Sequence, residues 1–156
     1  MKQVYLIAAM ESQSRAIGIR GRLPWHIPAD LKHFKALTLG RDCIVGYKTW
    51  RHMPVLDGRN VIVAPREFDP VTSLEELISQ CQGPVMILGG ADTYRRAMPF
   101  ATHMWLTLIG QTLKPGEADT FFPEFDWDQW NILEQRFPEE APRISFIHLE
   151  KKPCMA

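Results

Sequence analysis

Short apolar runs alternate with segments of helical periodicity along most of the chain. Continuous β-branched or aliphatic runs predict strands at residues 4–9, 43–46, 61–64, 85–88 and 104–109. Helical patterns are predicted at residues 28–37, in a short segment from 48, and at 73–82 and 91–98. Two later segments, 130–137 and 144–149, have the pattern of a pair of strands joined as a hairpin.

Uniformly apolar strands separated by helices are typical of a parallel sheet that is covered on both faces. The pattern therefore predicts an α/β fold with a mostly parallel central β-sheet, an antiparallel C-terminal edge and helices on both faces. In such folds ligands bind outside the carboxyl ends of the strands. The residues expected at that edge are Ala9, Gly46, Pro65, Gly89 and Gly90.

Length and charge narrow the classes of protein that the chain can represent. Its 156 residues, without an internal repeat, predict one domain over 1–156. The 18 basic and 18 acidic side chains cancel, so no global field attracts nucleic acid or an anionic membrane. Three widely spaced cysteines without a CxxC motif predict reduced thiols in the cytoplasm. No secretion signal or transmembrane run is recognisable, and a soluble protein is expected.

The segment around Asp30 is the most informative part of the sequence. Pro28 fits the start of a helix, and Asp30, Phe34 and Leu37 then share one helical face, with Leu31 beside them. A flat heterocycle with an amine next to a ring N–H could lie against Phe34 and form two parallel hydrogen bonds with Asp30. The alternative is that Asp30 only complements the positive end of the helix dipole.

Two glycine-containing turns follow predicted strands and offer backbone amides to an anion. Gly89-Gly90 precedes a helix, although a turn without a ligand explains this pair equally well. Gly46 opens a second turn that combines the start of a short helix with Lys48 and the Thr49 hydroxyl. Two such sites on adjacent strands suit a dinucleotide.

A series of short motifs extends over nearly the whole chain. They are Ile7-Ala8-Ala9, Ile17-Gly18, Leu23-Pro24-Trp25, Pro28-Ala29-Asp30-Leu31 with Phe34, Gly46 with Thr49-Trp50, Leu56, Gly58-Arg59, Gly89-Gly90 with Tyr94, Leu106-Thr107, Asp119-Thr120 and Phe122-Pro123. In this order and at this spacing the chain resembles the dihydrofolate reductase family. The resemblance implies NADPH-dependent reduction of 7,8-dihydrofolate, with hydride transfer to C6 and protonation at N5 of the pterin.

The resemblance also implies how the substrate is held. The acid at Asp30 binds the pterin amine and ring nitrogen, Thr107 supports that acid, and Trp25 fixes a water beside it. Arg59 pairs with the α-carboxylate of the glutamate tail, although from its own context it could be an ordinary turn cation. The implied catalytic residues are Leu23, Trp25, Asp30 and Thr107. The implied substrate-binding residues are Ile7, Ala8, Asp30, Leu31, Phe34, Met53, Leu56, Arg59, Leu88, Tyr94 and Thr107.

For the cofactor the resemblance implies NADPH, with Arg66 near the 2′-phosphate and Lys48 close to the phosphates. Tyr47 stands where members usually have a basic residue, and Asp92 is an acid where many have a neutral or basic one. The implied cofactor-binding residues are Ala9, Ile17, Gly18, Gly46, Tyr47, Lys48, Thr49, Ala64, Pro65, Arg66, Leu88, Gly89, Gly90, Ala91, Asp92 and Thr93.

Other features predict no further chemistry. The five histidines share no metal-ligand spacing, so no metal is expected. The acidic stretch 117–128 is predicted to be a solvated loop, in which the resemblance gives Asp119 a hydrogen bond to the backbone near Gly18. The family implies a monomer that acts on dihydrofolate. Two alternatives are a pyrimidine reductase of riboflavin synthesis with the same fold, and a non-catalytic folate- or nucleotide-binding protein.

Overall fold

A computed structural model describes residues 2–18, 26–64, 73–110 and 116–153. Within these ranges it has nine strands, β1 (Val4–Glu11), β2 (Ala16–Gly18), β3 (Asp42–Val45), β4 (Asn60–Val63), β5 (Val85–Ile87), β6 (His103–Ile109), β7 (Thr120–Phe121), β8 (Trp130–Arg136) and β9 (Ile144–Lys151). The α-helices of the same ranges are α1 (Pro28–Thr38), α2 (Tyr47–Trp50), α3 (Leu74–Gln80) and α4 (Ala91–Ala97).

Seven of the strands form one sheet in the order β4-β3-β5-β1-β6-β9-β8. The first five run parallel, with Leu6 of β1 opposite Ile87 of β5 on one side and Met104 of β6 on the other. β9 is antiparallel to both β6 and β8, and it places Phe146 opposite Thr107. The predicted α/β fold with a mostly parallel sheet and an antiparallel C-terminal edge is therefore confirmed.

Helices cover both faces of the sheet. Successive side chains of β1 point to opposite faces, so both of its faces are apolar and need cover. Leu6 packs in the same core cluster as Ile78 of α3 and Tyr94 of α4. Ile7, the next residue, lies in a second cluster against which Phe34 of α1 packs. The face that carries α1 is therefore also the face that carries the residues predicted to hold the heterocycle.

Local signals explain where the helices begin and end. α1 begins at Pro28, whose missing amide costs nothing in the first turn, and it ends at Thr38, one residue beyond the prediction. α3 is capped by Ser73, whose Oγ accepts a hydrogen bond from the Glu76 amide at 3.1 Å. α3 ends at Gln80, two residues before the prediction, because Cys81 is extended and Gly83 has a positive φ of 67°.

A small second sheet was not predicted. β2 pairs antiparallel with β7, with Ala16 opposite Phe121, and the amide of Asp119 donates to the carbonyl of Gly18 at 3.0 Å. The prediction that 117–128 is a solvated loop is wrong for this part, since Phe122 is only 1% exposed. The expected contact between Asp119 and the backbone near Gly18 is present, and the Asp119 main chain makes it. No helix in the described ranges has the length and apolar character needed to cross a membrane.

Candidate functional site

Asp30 lies in the first turn of α1 and faces β6. The Oγ1 of Thr107 donates a hydrogen bond to Oδ1 of Asp30 at 2.6 Å. Burial raises the pKa of the Asp30 carboxyl above its ordinary value, and the hydrogen bond from Thr107 opposes this rise without cancelling it. The sequence did not decide the sign of this shift. The structure therefore presents a carboxyl group that binds protons more readily than a free aspartate does.

An apolar wall continues from Asp30 along the same helical face. Phe34 and Leu37 pack against a cluster that contains Ile7 and Leu88, as do Met53 and Leu56. Leu31 is 46% exposed at the rim of this face, where it is available to a ligand. The structure thus brings the predicted substrate-binding side chains together. Ala8 and Tyr94 are exceptions, because their side chains pack into the core on the opposite face of the sheet.

The ends of β1 and β5 are joined through the hydroxyl of Tyr94. This hydroxyl lies 2.5 Å from the carbonyl oxygen of Ile7 and 3.0 Å from that of Leu88, to which it can donate. Burial strongly raises the pKa of Tyr94, so the hydroxyl keeps its proton. Gly89, with φ at 117°, has no side chain, and a Cβ there would come within 3.1 Å of the Tyr94 oxygen. The Tyr94 hydroxyl thus holds the carbonyls of Ile7 and Leu88, two residues of the cluster against which Phe34 packs, close to one another.

Arg59 lies at the far end of the apolar wall. A groove of about 490 Å³ is lined here by Trp50, Arg51, Met53, Pro54, Val55, Leu56, Arg59 and Val61. The guanidinium of Arg59 donates from Nε to the Asp57 carbonyl at 3.0 Å and from Nη1 to Oγ1 of Thr38 at 3.4 Å. Thr38 is fully buried, and its hydroxyl donates to the Phe34 carbonyl at 2.8 Å. The sequence reading missed Thr38, whose signal is a hydroxyl residue in the last turn of the helix that carries Asp30.

Three glycines meet where β3 and β5 end. The amide of Gly46 donates to the Gly89 carbonyl at 2.7 Å. A Cβ on Gly46 would lie 2.6 Å from Oγ1 of Thr93, and a Cβ on Gly90 would lie 2.7 Å from Oγ1 of Thr49. Such distances exclude any side chain at either glycine unless the neighbours move. Backbone is therefore exposed along this edge, which is the arrangement that a phosphate-bearing cofactor needs for close approach.

The other described residues that are predicted to bind the cofactor differ in exposure and in their side-chain contacts. Tyr47 is half exposed, with Arg51 5.9 Å from its ring centroid. Asp92 forms ion pairs with Arg95 at 2.5 Å and Arg96 at 3.7 Å, so its negative charge is balanced. Lys48 is exposed. The side chains of Ile17, Ala64 and Thr93 are buried.

Some predicted residues cannot be placed. Leu23, Trp25, Pro65 and Arg66 lie outside the described residues. In the part of the chain that is described, no group of three or more His, Cys, Asp or Glu side chains is arranged to hold a metal ion.

A proton-binding carboxyl beside an aromatic wall, and an adjoining glycine-lined backbone edge, define an α/β protein built to bind a heterocycle next to a phosphate-bearing ligand. A family model described as dihydrofolate reductase matches residues 3–151. The dihydrofolate reductase of Neisseria meningitidis is 38% identical over 162 residues, which cover 95% of this chain and 98% of that protein. That of Bacillus subtilis is 36% identical over 163 residues, which cover 96% and 95% of the two chains.

A solved structure agrees with these sequence relatives. Dihydrofolate reductase from Enterococcus faecalis, complexed with NADP(H) and RAB-propyl, superposes with a TM-score of 0.81 at 26% identity and covers 97% of both chains. The chain belongs to the dihydrofolate reductase family. It is accordingly an enzyme, an oxidoreductase of folate metabolism.

Proposed function

We propose that this protein reduces 7,8-dihydrofolate to 5,6,7,8-tetrahydrofolate and uses NADPH as the reductant. The observation that carries the proposal is the partly buried Asp30 carboxyl, which accepts a hydrogen bond from Thr107 at one end of the wall formed by Phe34. A pyrimidine reductase with this fold does not require this acid, the aromatic wall and the guanidinium together, whereas a non-catalytic folate carrier would keep these binding residues without reducing the substrate. Membership of the family supports the same conclusion.

The substrate fits the wall in one direction. The Asp30 carboxylate accepts two parallel hydrogen bonds from the pterin amine and the adjacent ring nitrogen, and Phe34 packs on the ring and its linker. The tail then follows the groove past Met53 and Leu56. Arg59, whose guanidinium Thr38 and the Asp57 carbonyl hold in place, pairs with the α-carboxylate of the glutamate.

The reaction adds a hydride to C6 and a proton to N5, while NADPH becomes NADP⁺. NADPH supplies the hydride when it is bound. Asp30 lies at the other edge of the pterin, and so we assign it the stabilisation of the protonated substrate, with the proton reaching N5 through water. The raised pKa of Asp30 favours this role, because the site binds a proton more readily than an exposed acid does.

The described residues fit the cofactor. A cradle that a Cβ at Gly46 or Gly90 would fill lets phosphates approach the backbone, and Thr49, Thr93 and Lys48 adjoin it. The relative from Enterococcus faecalis was solved with NADP(H), which supports the same cofactor here. Tyr47 then stands where the family usually has a basic residue, and Asp92 where many members have a neutral or basic one.

We further propose one domain over 1–156 that acts as a monomer. One chain supplies Asp30, Phe34, Arg59 and the glycine-lined edge, so the site needs no residue from a second copy. The proposed compartment is the cytoplasm, where the thiols of Cys43 and Cys81, both unpaired in the structure, stay reduced.

The decisive experiment combines an activity assay with one substitution. With dihydrofolate present, we expect the protein to oxidise NADPH, followed by its absorbance. The substitution Asp30→Asn is expected to slow hydride transfer at pH 7 by about 10²-fold or more, the range for lost acid–base assistance. Asp128→Asn, a change at an exposed acid, is the matched control and should leave the rate unchanged.

The two parts of the proposal fail separately in this experiment. A parent protein that does not oxidise NADPH with dihydrofolate contradicts the function. An active parent with an equally active Asp30→Asn variant contradicts only the role of Asp30.

A further inference from the structure

Six aromatic and imidazole rings form a continuous row on the sheet face that α1 covers. They are Tyr5, His33, His103, Trp105, Phe146 and His148. His33 is the only one of them on α1, and it contacts two of the others. Its ring is stacked on Phe146 with centroids 3.9 Å apart, and it meets Trp105 edge-on at 5.1 Å. Within this row of rings, His33 is therefore the contact between the helix that carries Asp30 and the sheet.

This attachment lies next to the catalytic hydrogen bond. His33 follows Asp30 by three residues, so both occupy one face of α1. Trp105 and Thr107 are two residues apart on β6 and share one face of that strand. Phe146, on which His33 is stacked, is the residue of β9 directly opposite Thr107. The ring contacts of His33 and the bond from Thr107 to Asp30 are thus adjacent links between α1 and the sheet.

We propose that His33 is a positioning residue for the reaction: its ring, packed against Trp105 and Phe146, fixes the spacing between α1 and β6 at which Thr107 reaches Asp30 and water is kept from the carboxyl. The proposal rests on the reductase function proposed above.

Ring packing, rather than a hydrogen bond, is what holds His33. Among the described residues, Nε2 of His33 has no hydrogen-bond partner although it is buried. Burial and the nearby Arg136 of β8 lower the pKa of His33 to about 4, so the ring is neutral at pH 7. Two further titratable groups lie near it, His148 on β9, beyond Trp105, and Asp30 on its own helix. A neutral ring places no cation one helical turn from Asp30.

The loss of this ring has a predictable effect on Asp30. Burial is the larger cause of the raised pKa of Asp30, and the bond from Thr107 is the smaller, opposing cause. If the ring is removed and α1 moves, water reaches the carboxyl and both causes weaken, so the larger one decides the sign. The pKa of Asp30 should therefore fall. Because the protonated site favours the reaction, the rate at a pH above this pKa falls with it.

The test measures the pKa of Asp30 in two ways, first without turnover and then during turnover. In the first part, ¹³C-labelled aspartate is titrated by NMR, with the Asp30 signal assigned by its absence in Asp30→Asn. In the second part, the pH profile of hydride transfer is recorded for the same proteins. We expect His33→Ala to lower both the titration pKa of Asp30 and the apparent pKa of the profile by about one unit, which is about a tenfold slower reaction above the pKa.

Matched variants separate positioning from general stability. His33→Phe keeps a flat ring between Trp105 and Phe146 and should retain the parental pKa and profile. Lys32→Ala, at the exposed neighbour on α1, should change neither. His33→Leu, which fills the space without a flat ring, replaces the alanine variant if that one does not fold, with the same expected direction.

Three results would overturn the proposal. In the first, His33→Ala or His33→Leu is less stable but keeps the parental pKa of Asp30. In the second, the titration pKa of Asp30 falls in the variant, but the apparent pKa of its rate profile stays parental. In the third, His33→Phe shifts the pKa as far as His33→Ala does. A parent without reductase activity contradicts the proposed function instead, and the NMR titration still tests the link between His33 and Asp30.

Discussion

Asp30 shows how one residue trades stability for chemistry. Its folded-state pKa is raised, so at pH 7 the unfolded state holds the ionised carboxyl more favourably than the native state does. Burial of this charge therefore makes the native fold less stable at neutral pH. The hydrogen bond from the hydroxyl of Thr107 offsets part of this loss of stability. The proposed function explains an acid in such a position, since packing alone favours an apolar residue.

A single substitution at Arg59 tests the proposed orientation of the substrate. A guanidinium can pair with a carboxylate through two parallel bonds, and a lysine ammonium cannot reproduce that fork. We expect Arg59→Lys to raise the KM for dihydrofolate about tenfold or more, as about 1.4 kcal/mol of lost binding requires. A dihydropterin without the glutamate should be used equally well by both proteins. Equal losses with the two substrates would mean that Arg59 does not bind the tail.

Among the elements, the contact between the ends of β3 and β5 is the most constrained. An alanine at Gly46 would place its methyl group 2.6 Å from Oγ1 of Thr93, which is on α4. Forcing an extra carbon into a packed site costs about 1–3 kcal/mol. We expect Gly46→Ala to weaken NADPH binding by about tenfold or more, measured by fluorescence titration, because the edge must move apart.

A second variant tests the steric origin of that loss. Thr93→Ala removes the atom that the new methyl group would meet, so Gly46→Ala should cost less affinity in the Thr93→Ala background than in the parent. If the cost is the same in both backgrounds, the collision with Thr93 does not cause the loss.

The strands and helices that bury long apolar runs were predictable, because their periodicity reports the face that meets the core. The geometry of the candidate site was predictable where one short segment contains its residues, as with Asp30 and Phe34 on α1. What the pattern missed depends on partners distant in the chain. β2 and β7 are three and two residues long, and each forms by pairing with the other. Thr38 contributes to the candidate site through its hydrogen bond with Arg59.

The stability of the whole molecule should depend on pH through its partly buried imidazoles. His33 has its pKa lowered to about 4, and burial also lowers the pKa of His148. A histidine whose pKa is lowered in the folded state binds a proton more readily when the chain unfolds. The fold therefore keeps its full stability above about pH 6.5 and loses stability as the pH falls towards 4. We expect the free energy of unfolding to decrease over this interval.

Urea unfolding at pH 7, 6 and 5 measures this slope. In His33→Phe the slope should be smaller, because a phenylalanine cannot take up a proton when the chain unfolds. Asp30 acts in the opposite direction, since its raised pKa makes the fold relatively more stable on acidification, and so Asp30→Asn should steepen the slope. Identical slopes for the parent and His33→Phe would rule out His33 as a source of the pH dependence.

The strand order has a consequence for synthesis of the chain. β1 is made first, yet both of its neighbours in the sheet, β5 and β6, are made after β3 and β4. A chain growing on the ribosome therefore exposes an apolar strand with two unpaired edges until residues 85–87 emerge, and such edges readily pair with other chains. β3 lacks a partner for a shorter time, because β4, which pairs with it, follows it closely in the chain. We infer that the nascent protein is most exposed to aggregation before β5 emerges, when the strand that ends beside the proposed site has neither of its neighbours in the sheet.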